Sequence, residues 1–130
     1  MAIFTIMITG APYGTQGASS GYLFCKAALE MKHTLAGVFF YQQGVFNANA
    51  LTSPASDEVD LPQCWADLAI KHGFPLEVCV SAALRRGVLS EDESKQLGLS
   101  QHNLKFPFVL SGLGQFAELS AKCDRLVQFK

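Results

Sequence analysis

The chain opens on an apolar run rich in β-branched residues, Ile3 to Thr9, which passes through Gly10-Ala-Pro-Tyr-Gly-Thr-Gln-Gly17 into a segment of helical spacing. A strand without polar alternation is covered on both faces, and such strands belong to parallel sheets flanked by helices. From Ala18 to Lys32 the apolar stripe is Gly21, Phe24, Cys25, Ala28 and Leu29, with Lys26, Glu30 and Lys32 off it. Ser19 or Thr15 is positioned to cap this helix. Leu35 to Tyr41 is a second strand, and a long polar connection follows from Gln42 to about Val59.

The alternation then repeats. Asp60 and Pro62 open a helix whose stripe is Leu61, Cys64, Trp65, Leu68 and Ala69, and Gly73 closes it. Leu76 to Val80 is a third buried strand. Ser90-Glu-Asp-Glu93 has the form of a capping box for a small helix running to Gln96 and ending at Gly98. Phe106 to Leu110 makes a poor strand because Pro107 removes a donor. Ser111 is placed to cap a helix reaching Lys122, and Arg125 to Phe129 is the last strand. The expectation is one α/β domain over residues 1–130, three layers in α/β/α order, with a mostly parallel sheet of about five strands.

Composition narrows the function. Charged residues number 21 of 130 with a net charge of -1, so a lone monomer would carry a thin coat of charge, and an oligomer is expected. Arg85 and Arg86 are the densest basic pair, which disfavours direct nucleic-acid binding. No basic leader precedes the first strand and no run approaches a membrane span, so a soluble, cytoplasmic protein without membrane contact is expected. Cysteines stand at 25, 64, 79 and 123, without a Cys-x-x-Cys or a zinc-ligand spacing, and are expected as free thiols with no metal.

In open α/β sheets, chemistry gathers where strands end. Three exits stand out. The first, Thr9 to Gln16, is glycine-rich but lacks phosphate-loop or dinucleotide spacing, so it is either a tight turn or a weak anion site. The second, Tyr41 to Ser56, carries Gln42, Asn47 and Asn49, and is read as a solvated or partner-facing loop. The third begins at Cys79 and continues Val80-Ser81-Ala-Ala-Leu-Arg-Arg-Gly87. Ser81 is placed to cap a short helix there. A thiol before a helix start, with Arg85 and Arg86 following, favours a nucleophilic thiolate or an anionic persulfide. The other reading makes Cys79 a small buried apolar residue. Cys25 and Cys64 fall on or beside apolar stripes and are read as packing. Trp65 is read as core, while His33 and His72 fall in final helical turns and His102 in a polar loop.

Several segments in order resemble the DsrE/TusD family of sulfur-relay proteins. They are Thr9-Gly10 with Tyr13-Gly14-Thr15-Gln16 and Ala18-Ser19-Ser20, Val38-Phe-Phe-Tyr-Gln-Gln-Gly-Val45 with Asn47 and Asn49, and Leu51-Thr-Ser-Pro-Ala-Ser-Asp-Glu58. Cys79-Val-Ser-Ala-Ala-Leu-Arg-Arg-Gly-Val88, Leu110-Ser-Gly-Leu-Gly114 and Cys123-Asp-Arg-Leu-Val127 complete the set. The resemblance implies a sulfurtransferase subunit whose active cysteine is Cys79, acting in 2-thiolation of the transfer-RNA wobble uridine. It implies a heterohexamer with TusB- and TusC-like sister subunits, a TusA-like sulfur donor and a TusE-like acceptor. Such a relay is thiol exchange and needs no cofactor; Ser81, Arg85 and Arg86 would stabilise the anionic sulfur. The rivals are a non-catalytic subunit of a hetero-oligomer and a small flavin- or nucleotide-binding module.

Overall fold

A computed structural model describes residues 1–130. The elements are β1 (Ile3–Ile8), α1 (Gly17–Glu30), β2 (Thr34–Phe40), a 3-10 helix (Gln42–Ala48), α2 (Leu61–His72) and β3 (Leu76–Cys79). They continue with α3 (Val80–Arg85), α4 (Glu91–Gln96), β4 (Val109–Ser111), α5 (Leu113–Lys122) and β5 (Arg125–Phe129). All four strand pairs are parallel, in the order β4-β3-β2-β1-β5. The expected α/β/α architecture is the observed one. No helix is long and apolar enough to cross a membrane.

Side-chain alternation divides the sheet into two faces. Ile6, Ile8, Val38, Phe40 and Val78 are buried on the side of α1 and α2, where aromatic edges lock the layers: Phe4 against Phe24 at 5.3 Å, Phe40 against Trp65 at 5.2 Å, Tyr22 against Trp65 at 5.5 Å. Trp65 is core, as expected. The opposite face carries α5. Phe116 stacks on Phe39 at 5.1 Å, and Thr5 Oγ1 donates to the Leu119 carbonyl at 2.7 Å. Leu119 is the one buried residue of α5, so this layer is thin.

Local signals placed α2 and α4 well. Asp60 is the N-cap of α2 and its carboxylate accepts from Gln63 N, while Gly73 ends the helix at φ +77, a conformation that side chains resist. Ser90 Oγ accepts from Glu93 N at the start of α4.

Four local expectations are corrected. Neither Ser19 nor Thr15 caps α1; Gln16 is the N-cap and supplies no side-chain bond, and Ser19 Oγ turns back to the Gln16 carbonyl. Gly112, not Ser111, is the N-cap of α5, because Ser111 is held in the β4 ladder opposite Cys79. His33 lies beyond the end of α1, where its Nδ1 accepts from Ala2 N at 3.0 Å. The polar connection after β2 is not solvated throughout. Its first seven residues form the 3-10 helix, with Gly44, Val45, Asn47 and Ala48 buried.

That helix is possible because residue 44 is glycine. A Cβ there would stand 2.0 Å from the Ile8 carbonyl oxygen and 2.8 Å from its carbon. The chain can therefore fold back over the end of β1. Asn47 fastens it, donating from Nδ2 to the carbonyls of Gly10 and Gly44 at 3.1 and 2.8 Å.

Candidate functional site

The strands end nearly level. Ile8 is in register with Phe40 and Phe129, Phe40 with Val78, and Cys79 with Ser111. This carboxyl edge gathers the three exits picked out from sequence.

Cys79 is the last residue of β3 and the N-cap of α3. The sequence puts it there because the buried strand Leu76–Cys79 meets a run, Val80-Ser-Ala-Ala-Leu-Arg85, that forms a helix at once. Its φ and ψ of -60° and 117° are extended, as an N-cap requires, and its side chain makes no capping bond. The residue is 3% exposed. Ser81 is therefore not the cap; it is exposed and inside the first turn of α3.

The two arginines diverge. Arg85 is exposed in the last turn of α3. Arg86 directs its guanidinium to the neighbouring exit, with Nε donating to Gln43 Oε1 at 2.6 Å and Nη1 to the Ala82 carbonyl at 3.2 Å. Its observed work is to tie α3 to the 3-10 helix. The hydrogen bonds of Arg86 reach Gln43 and Ala82 rather than Cys79.

A second tie went unread in the sequence. Asn103 Oδ1 accepts from Leu89 N at 2.8 Å, and its Nδ2 donates to Asn49 Oδ1 at 3.1 Å and to the Gly87 carbonyl at 3.0 Å. Its backbone accepts from Ala50 N and donates to the Leu89 carbonyl. One side chain thus joins the segment after the 3-10 helix to the segment after α3. An asparagine in a polar loop carries no local sign of such a role.

The other thiols are placed differently. Cys25 is fully buried in α1, and burial pushes its thiol up to about 12. Cys64 is also pushed up, by burial first and then by the Asp60 and Asp67 carboxylates, against the hydrogen bond from the Tyr22 hydroxyl and the pull of Lys26. Cys123 stands before β5, at the amino edge of the sheet, and its Sγ donates to the Ser120 carbonyl at 3.3 Å. Cys79 alone ends a strand at the carboxyl edge. All four are free.

The first exit contributes to two clefts. One of about 500 Å³ runs between the Pro12–Gln16 turn and Val59 and Leu61, and another, of about 730 Å³, lies between Thr9–Thr15 and Gln42, Gln43, Gln128 and Lys130. Neither is lined by Cys79.

The chain is thus a parallel five-stranded α/β protein with a cysteine at the end of an inner strand. The chain belongs to the DsrE/DsrF-like family, whose profile matches residues 2–129. It is similar to the sulfurtransferase TusD of Salmonella newport (strain SL254), 57% identical over 126 residues that span 97% of this chain and 98% of the relative. The sulfurtransferase TusD of Proteus mirabilis (strain HI4320) is 55% identical over 126 residues, 97% of each chain. In fold it is similar to the ychN protein of E. coli, whose crystal structure superposes with a TM-score of 0.79 at 18% identity, over 99% of this chain and 100% of that one.

Proposed function

We propose that the chain is a sulfurtransferase subunit of a sulfur relay and that Cys79 carries the sulfur. The observation that carries the choice of residue is the placement of Cys79 as the last residue of β3, at the carboxyl edge of the sheet, with its sulfur uncommitted to any cap. The relatives named sulfurtransferase TusD, matched over nearly the whole chain, support the activity.

The chemistry is two thiol exchanges. Cys79 thiolate attacks the terminal sulfur of a donor persulfide; the new bond joins Cys79 Sγ to that sulfur, the donor S–S bond breaks, and the donor leaves as a thiolate. An acceptor thiolate then attacks the same terminal sulfur and Cys79 leaves as the thiolate. Electrons balance without an oxidant. Donor and acceptor are small carrier proteins of the TusA and TusE kind, the sister subunits are TusB- and TusC-like, and the sulfur is destined for the wobble uridine of transfer RNA in the cytoplasm. With a net charge of -1, the chain is suited to handing sulfur to proteins rather than to binding RNA. Of the residues expected to stabilise the anionic sulfur, Ser81 and Arg85 are exposed on α3, where they meet an approaching carrier, while Arg86 is engaged with Gln43 and Ala82. At 3% exposure Cys79 is reached only when this edge opens. β4, three residues long, and the thin α5 layer are the elements with least to lose by opening.

The test is to charge the purified chain with a cysteine desulfurase and a carrier persulfide and to map the product by mass spectrometry. One added sulfur on Cys79, absent in Cys79→Ser of unchanged melting temperature, is expected. An adduct that persists in Cys79→Ser refutes the assignment.

A further inference from the structure

We infer that Ser111 is a positioning residue for this chemistry, its hydroxyl donating to the anionic sulfur held on Cys79. The inference rests on the reading of Cys79 as the sulfur carrier.

Ser111 is the register partner of Cys79 in the parallel β3–β4 pair. Residues directly opposite in adjacent strands point to the same face, and neighbouring strands run about 5 Å apart. The Ser111 Oγ is buried and has no hydrogen-bond partner. Buried hydroxyls are nearly always satisfied, so one that is not calls for a reason. Two ordinary uses of such a hydroxyl are both absent: Ser111 does not cap α5, whose N-cap is Gly112 without any side-chain bond, and although the residue is half-buried its Oγ does not reach the surface. Beside it stands a thiol that also makes no capping bond. A thiolate or a persulfide anion only accepts hydrogen bonds, and a donor to the charged form favours that form. A serine hydroxyl turns freely about its C–O bond, so its proton can be directed at a sulfur anion on the neighbouring strand. Ser111 loses no proton and forms no covalent bond. It holds the charge while the S–S bonds exchange.

The experiment compares wild type, Ser111→Ala and Ser111→Thr in the full chain, in whatever assembly it purifies. The pH profile of iodoacetamide alkylation at Cys79 is read by mass spectrometry, together with the persulfide held on Cys79 after charging. Glu77 on the same face of β3, and the exposed Arg85, Glu118 and Lys122 of the flanking helices, are common to all three proteins. Loss of a hydrogen bond to a charged group is expected to cost about tenfold. Ser111→Ala should therefore move the alkylation profile about one pH unit upward and hold about tenfold less persulfide at neutral pH, and Ser111→Thr, which keeps the hydroxyl, should restore both. A Ser111→Ala protein with the wild-type profile and wild-type charging overturns the role of Ser111 while leaving Cys79 as carrier. A wild-type chain that takes no sulfur on Cys79 overturns the reading beneath it.

Discussion

Cys25 offers a quantitative check on which thiols can ionise. It sits in α1 with no exposed surface, and desolvation alone raises its thiol from an ordinary value of 9.0 to about 12. In the unfolded chain the same thiol gives up its proton near the ordinary value, so above that pH the folded state holds a proton that the unfolded state has lost. The contribution to stability is fully present below about pH 9 and drains away as pH rises towards 12. At about 1.36 kcal/mol per pH unit the three-unit gap sets a ceiling of about 4 kcal/mol, of which about 2 kcal/mol is lost by about pH 10.5. Cys25→Ala pays a fixed cost for the missing sulfur but no longer titrates. Urea unfolding of both proteins at about pH 7.5 and about pH 10.5 under reducing conditions isolates the thiol, because lysines and tyrosines contribute equally to both. Wild type should lose about 2 kcal/mol more than the variant over that interval. Equal losses would show that the Cys25 site admits a thiolate, and the desolvation argument for this thiol would fail.

Two further substitutions probe the carboxyl edge. Gly44→Ala puts a methyl 2.0 Å from the Ile8 carbonyl oxygen, which belongs to the backbone of a central strand and cannot step aside; a loss of about 3 kcal/mol, or about 10 °C in melting temperature, is expected, and a melt within about 1 °C of wild type would contradict it. Asn103→Ala leaves Leu89 N without its acceptor and frees Asn49 and Gly87 from their donor, costing about 2 kcal/mol. Hydrogen exchange should show the loss at Ala50 and Leu89, where unchanged protection would remove Asn103 as the tie.

Signals that act within one turn of chain were readable in advance. The apolar strand Ile3–Ile8, the Asp60 cap and Gly73 stop of α2, the Ser90 cap of α4 and the strand Arg125–Phe129 all stand where spacing and capping chemistry put them. The errors share a cause. Ser111 looks like a cap to a reader of neighbours, but the pull of the β3–β4 ladder keeps it extended and moves the cap to Gly112. Gln42 to Val59 looks solvated because it is polar, yet Gly44 and Asn47 let its first part lie over the end of β1. Arg86 looked like a charge for Cys79, and its partner proved to be Gln43, a residue of another exit.

The amino-acid order alone determined that this is an alternating strand-and-helix domain and that Cys79 leaves a buried strand into a helix, because periodicity and caps are interactions between near neighbours in the chain. Which side chain stands next to that thiol was decided only in three dimensions. Register and strand order are set by packing summed over the whole sheet, and it is that sum which lays Ser111 beside Cys79 and turns Arg86 towards Gln43.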